Sequence, residues 1–149
     1  MKKFVFSLNA LYDLKKTQKD RLQAEFAAAE AAYRAAVERK ANLEKTLDDK
    51  KEEFEKKASN GMTVSDLHGY DAYFEELQDR IKAAGKDVDR ALREVNQKRN
   101  ELVAVFKEIK VLEKLYEKQY SEYMKDYEKS ETKAVEDIVS FKVTDSQSG

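Results

Sequence analysis

The 149-residue sequence contains no cysteine, no proline and no tryptophan, and only four glycines. Without cysteine there is neither a disulfide framework nor a thiolate metal site. Without proline, and with so little glycine, the chain lacks the turn residues that β-hairpins and long loops need. No stretch approaches the ~18 apolar residues of a membrane span. Met1-Lys2-Lys3 opens like a signal peptide, but Asn9 and Asp13 interrupt the apolar run that follows. The protein is therefore expected to be soluble, unprocessed and free of direct membrane insertion. A dominant charge is missing too. Twenty-nine Lys and Arg face thirty Asp and Glu, interleaved, for a net charge of -1. A nucleic-acid partner calls for a basic stripe along the phosphates, and none is present.

Charged residues make up 40 % of the chain. That leaves too little apolar material for a thick core and fits a coiled coil, where a thin seam is buried and the rest is wet. Disorder is the competing reading, and periodicity separates the two. From Leu67 onward one heptad position holds Leu67, Phe74, Ile81, Val88, Val95, Leu102, Ile109 and Tyr116. Its companion holds Tyr70, Leu77, Ala84, Ala91, Lys98, Val105, Leu112 and Gln119, with only Lys98 and Gln119 breaking the apolar character. A strict 3.5-residue repeat this long implies a supercoil with a partner helix. The first half carries the same steps of four and three through Leu22, Phe26, Ala29, Tyr33, Ala36, Lys40, Leu43, Leu47, Lys50 and Phe54. Upstream, Phe4, Leu8, Leu11 and Leu14 are expected to continue the apolar face in a slightly different phase.

Between the halves lies "ASNGMTVSDLHG". Ser59-Asn60-Gly61 supplies residues that tolerate the left-handed conformation ending a helix. Thr63 or Ser65 caps the next helix, and Asp66 stands three residues after Thr63 as in a capping box. So short a turn folds the second helix back antiparallel. The expected fold is all-α: a long antiparallel two-helix coiled-coil hairpin with a C-terminal helical overhang. It forms a single domain over 1–149, with helix 1 at about 4–58, the turn at about 59–63, helix 2 at about 64–139 and a disordered tail from about 143. A first helix of roughly 80 Å, at ~1.5 Å per residue, pairs Phe4 with a residue near Tyr120. Beyond that point Tyr116, Tyr120, Tyr123, Tyr127, Ala134, Ile138 and Phe141 continue the seam with a four-residue offset, a stutter.

Chemistry for catalysis is not visible. There is no phosphate loop, nucleophile elbow or metal-ligand spacing, and the sole histidine, His68, reads as a surface or capping residue. Catalytic, cofactor-binding and metal residues are all expected to be none. Lys98 is read as snorkelling out of the seam, with a role in fixing register as the sharper alternative. Gly69 and Gly85 inside helix 2 each cost about 1 kcal/mol against alanine, as bends, contact points or tolerated residues. Tyr73 lies just outside the seam beside the turn, where exposed aromatics anchor interfaces.

The order of "FVFSLNALYDLKK", an Ala-rich first helix, a mid-chain turn, "YDAYFEELQDRI", "LEKLYEKQYSEY" and "ETKAVEDIV" resembles the flagellar export protein FliJ family along nearly the whole chain. The resemblance implies a stalk-like coiled coil of the type III export apparatus that binds and stimulates the hexameric export ATPase FliI. It further implies contact with the export gate protein FlhA and escort of export chaperones, at the cytoplasmic face of the membrane at the flagellar base. By the same resemblance the gate-binding surface falls on Leu43, Tyr73 and Leu77, and the ATPase contact on Tyr120, Tyr123, Tyr127 and Ile138. Thr46 and Lys50 stand where relatives carry aromatics. The alternative is a structural coiled-coil adaptor or stalk of a related virulence secretion system. A hairpin predicts a monomer. Light scattering at low protein concentration is expected to return the monomer mass, and a dimer mass contradicts the hairpin.

Overall fold

The computed structural model describes residues 2–148, which form two long helices packed against each other as a hairpin. Helix α1 spans Asn9–Asn60 and α2 spans Val64–Ser148. The turn between them follows from three residues. Gly61 adopts a φ of 102°, a conformation that costs glycine little and other residues much, and so stops α1 after Asn60. Thr63 then caps α2 reciprocally: the Asp66 amide donates to Thr63 Oγ1 at 3.0 Å, and the Thr63 amide donates to Asp66 Oδ2 at 3.4 Å. Of the two capping residues foreseen, Thr63 is the one used.

The hairpin divides into two compact units, Asp20–Val103 and Met1–Lys19 with Ala104–Gly149. In the first, Leu22, Ala29, Ala36, Leu77, Ala84 and Val95 are buried, and the remaining seam positions from Phe26 to Phe54 and from Tyr70 to Lys98 are half-buried. Leu67, the first seam position of α2, is exposed. The alanines let the helix backbones approach closely, so little apolar area is needed to close the seam. Lys98 does not snorkel into solvent. Its ammonium donates across the hairpin to Glu25 at 3.0 Å and along its own helix to Glu101 at 3.4 Å. That hydrogen bond holds the Glu25 carboxyl below its usual value of 4.5, and chiefly the same bond raises Lys98 above 10.5.

In the second unit Phe6, Val105, Ile109 and Leu112 are buried. Here two expectations need correction. Helix 1 begins at Asn9, and residues 2–8 are not helical. Phe4 is half-buried and Phe6 buried while Val5 between them is 77 % exposed, the alternation of an extended backbone; residues 7 and 8 then turn, with the Asn9 amide donating to the Phe6 carbonyl at 3.1 Å. A helix cannot aim residues i and i+2 at one target, yet the rings of both Phe4 and Phe6 lie 5.4 Å from that of Tyr116. Nor do Leu11 and Leu14 continue the seam; both are exposed. The seam keeps strict phase instead, through Tyr12, Lys15 and Lys19 to Leu22, with Lys15 ion-paired to Glu108. Helix geometry, fixed by the residues downstream, overrides the hydrophobicity of two leucines.

At its other end α2 continues through Ser148 rather than stopping near 139. No glycine or proline occurs between Gly85 and Gly149 to end it. The expected tail from about 143 is thus helical as far as Ser148, and Gly149 lies outside the described residues. From Lys125 to Thr144 every side chain is exposed, so this stretch is a helix without a cover.

Two tests follow from this packing. A β-carbon placed on Gly69 meets nothing within 4 Å, and on Gly85 only the end of Lys40 at 3.9 Å. Gly69→Ala and Gly85→Ala are each expected to raise unfolding stability by about 0.5–1 kcal/mol, read from urea midpoints; destabilisation by either would show a packing role. The Lys98–Glu25 pair has a pH signature. Glu25 is depressed on folding, so its contribution is present above pH 4.5 and fades as pH falls through its folded value. Glu25→Gln is expected to flatten the acid side of the stability profile, and an unchanged profile would count against the pair.

Candidate functional site

The first unit carries a compact aromatic and ionic cluster near the turn. Phe54, Tyr70 and Phe74 pack edge-on or tilted, with ring centroids 5.4–6.0 Å apart. The Tyr70 hydroxyl donates to Glu53 at 3.0 Å, and Lys50 pairs with the same Glu53 at 3.1 Å. The Lys50 bond, then the Tyr70 bond, hold the Glu53 carboxyl below its usual value, and the Glu53 bond raises Lys50. Lys50 Nζ also lies 5.3 Å from the centre of the Tyr73 ring, and Lys57 Nζ 5.6 Å from that of Tyr70. A cation held over an aromatic face at these distances contributes ~0.5–1 kcal/mol at an exposed site.

The three residues expected at the gate surface do not share one environment. Tyr73 is half-buried, with Lys50 against its ring; Leu43 is half-buried in the seam of α1; Leu77 is 2 % exposed. Leu77 holds the helices together and has almost no surface to offer a partner while the hairpin is closed. Lys50, expected as a seam position and as a departure from relatives, is the side chain whose ammonium lies over Tyr73. Its spacing of four residues before Phe54 put it in the seam pattern but could not disclose the ring it would meet.

The second unit gathers the tyrosines of α2. Tyr116 and Tyr120 stack with 4° between their planes and 6.1 Å between centroids. Phe4 sets its ring 5.3–5.4 Å from Tyr116, Tyr120 and Tyr123; it meets Tyr120 as expected, but from the non-helical segment ahead of α1 and not from the helix whose length suggested the pairing. The Tyr123 hydroxyl donates to the Lys2 carbonyl at 2.8 Å, and Gln119 and Ser7 share a hydrogen bond at 3.4 Å. Gln119, one of the two polar residues in the seam pattern, thus has a partner across the unit. Tyr123 and Tyr127 stack at 6.4 Å, and hydrogen bonding to Glu131 raises the Tyr127 phenol above its usual value. Tyr120 and Tyr127 keep more than a third of their surface exposed, and Ile138 stands further along with Val135, Val139 and Phe141, all exposed. The four residues expected to meet the ATPase therefore divide: Tyr123 is tied to the N-terminal segment, Tyr120 and Tyr127 are partly open, and Ile138 is uncovered.

Among the described residues no group of three or more His, Cys, Asp or Glu could hold a metal ion. His68 is exposed. Among the described residues no helix is long and apolar enough to cross a membrane. Leu77→Ala is expected to cost about 2–4 kcal/mol of stability, as large-to-small changes in a packed seam do, whereas Tyr73→Ala costs about 1 kcal/mol or less. Thermal melts of the two variants check this difference, and equal losses would place Tyr73 in the core.

Comparison with known proteins matches residues 4–148 to the family described as flagellar FliJ protein. Among curated relatives, the chain is 26 % identical over 138 residues to the flagellar FliJ protein of Bacillus subtilis (strain 168), covering 91 % of this chain and 92 % of that one. No solved structure matches.

Proposed function

The chain belongs to the FliJ family of flagellar export components, and on that premise we propose that it is a non-catalytic coupler of the export apparatus. It binds the export ATPase FliI and stimulates hydrolysis, touches the export gate protein FlhA through a second surface, and escorts export chaperones. It works as a monomer at the inner face of the membrane, held there by partners rather than by insertion.

The observation that carries this reading is the uncovered stretch of α2 from Lys125 to Thr144, with Val135, Ile138, Val139 and Phe141 open to solvent. In water a lone helix draws little stability from propensity and normally relies on burying an apolar face. Contiguous exposed apolar surface marks an interaction site, and a ring-shaped ATPase offers such a helix a cover. The gate contact is supported more narrowly, by Tyr73 and the neighbouring Lys50 outside the tight part of the seam. A gate protein engaging the Tyr73 ring must displace or share the Lys50 ammonium, so charge at that position tunes the contact.

Titrating the protein into its cognate export ATPase tests the coupler. Hydrolysis is expected to rise with added protein, and Ile138→Asp with Phe141→Ser is expected to abolish the rise while circular dichroism stays helical. A variant that stimulates as well as the parent removes the uncovered stretch from the contact.

A further inference from the structure

The unit that holds the tyrosine stack also contains a cavity of about 370 Å³, within the ~300–1,000 Å³ range of ligand pockets. Three aromatic residues line it, Phe6, Tyr12 and Tyr116, together with Leu112, Asn9 and the acidic residues Glu113 and Glu117. Aromatic faces carry negative potential and attract cations. Tyr12 already does so, since Lys16 Nζ lies 5.3 Å from its ring centre; Lys16 is not part of the cavity wall.

The carboxylates point the same way. Glu113 and Glu117 are four residues apart on α2, a spacing at which like charges are neighbours and weaken the helix. Among the described residues neither has an ion-pair partner, and Glu113 accepts only a long hydrogen bond, 3.5 Å, from the Tyr12 hydroxyl. Glu25, Glu53 and Glu108, which also flank the seam, each have a lysine partner. Two unpaired carboxylates beside three rings make a site with negative charge and flat apolar walls but no cation of its own.

We propose that this cavity receives an arginine side chain of the protein that docks on the part of Tyr116 and Tyr120 that Phe4 and Phe6 leave exposed. A guanidinium group is planar, stacks on aromatic rings and presents a fork of donors wide enough to serve two carboxylates. A lysine ammonium shares the charge but lacks the plane and the fork. The cavity is continuous with the face at issue, because Tyr116, which borders it, is stacked on Tyr120. The identity of the arginine donor rests on the reading of that face as the ATPase contact; the cavity's preference for guanidinium does not.

The test has two arms. In the first, full-length protein is titrated with blocked arginine (N-acetyl-arginine methylamide) and with blocked citrulline, its neutral isostere, while the ring resonances of Phe6, Tyr12 and Tyr116 are followed by NMR. Saturable shifts are expected with arginine and none with citrulline. The Glu113→Gln, Glu117→Gln variant is expected to lose them while melting no lower than the parent, because a like-charge pair has gone. Equal responses to the two probes, or saturation that survives in the variant, would overturn the site. In the second arm the same variant is expected to bind the export ATPase about tenfold more weakly. Unchanged affinity overturns the proposed donor. An ATPase that ignores the parent protein as well sinks the coupler reading instead, and the probe titration then decides the cavity by itself.

Discussion

Everything else in the hairpin depends on heptad phase. Once Leu22, Ala29 and Ala36 on α1 and Leu77, Ala84 and Val95 on α2 are buried, each helix has its rotation set, and every other residue must accept the direction it is given. A helix cannot rotate locally to favour a better side chain, because doing so breaks its backbone ladder. The consequence is visible in both units. Lys98 and Lys15 face the partner helix although they are lysines, and Leu11 and Leu14 face solvent although they are leucines. Burying an ammonium is tolerable only with a counter-charge at hand, and Glu25 and Glu108 provide it. Whether such pairs add stability over an apolar residue is doubtful on general grounds. What they do add is a penalty against any register that would separate them.

A seam this thin leaves its ends exposed, and the two units handle that differently. Near the turn the aromatic trio of Phe54, Tyr70 and Phe74 seals the seam, with Glu53, Lys50 and Lys57 arranged around the rings. In the other unit α1 begins only at Asn9, and an extended segment takes over. Extended residues reach about twice as far as helical ones, and the non-helical residues ahead of the turn at 7 and 8 carry Phe4 out along α2. With them Phe4 and Phe6 cover the tyrosines of α2 that α1 itself leaves open. Past Tyr127 there is no cover of either kind. Within this unit the aromatic strap thus gives way to bare helix.

Accessibility also divides the residues that a family resemblance groups together. Leu77 sits deepest in the seam while Tyr73, four positions earlier, is held by a cation at its ring. Loss of partner binding in a Leu77 variant would therefore report on the fold before it reported on contact. Tyr73 and Lys50 are both half-buried, with the Lys50 ammonium 5.3 Å from the ring centre.

The sequence by itself determined the class of the fold, the two helices, the turn at Gly61 with its Thr63–Asp66 box, and most of the seam, because those features follow from local conformational preference and from a repeat long enough to be read without ambiguity. It also indicated that Phe4 and Tyr120 would meet, although the contact is made by the non-helical segment before Asn9 and not by the longer helix that was expected. The tertiary structure alone decided which way Lys98, Lys15, Leu11 and Leu14 face. Each of these is a conflict between a side chain's own preference and the phase imposed by its neighbours, and only packing resolves it. The same holds for the extended strap. The alternation of Phe4, Val5 and Phe6 carried the signal, but three residues are too few to outweigh a strong helical context. The cavity of Phe6, Tyr12 and Tyr116 beside Glu113 and Glu117 had no sequence signature at all. Its walls come from segments about a hundred residues apart, and the negative charge meets the aromatic rings only where the folded helices bring them together.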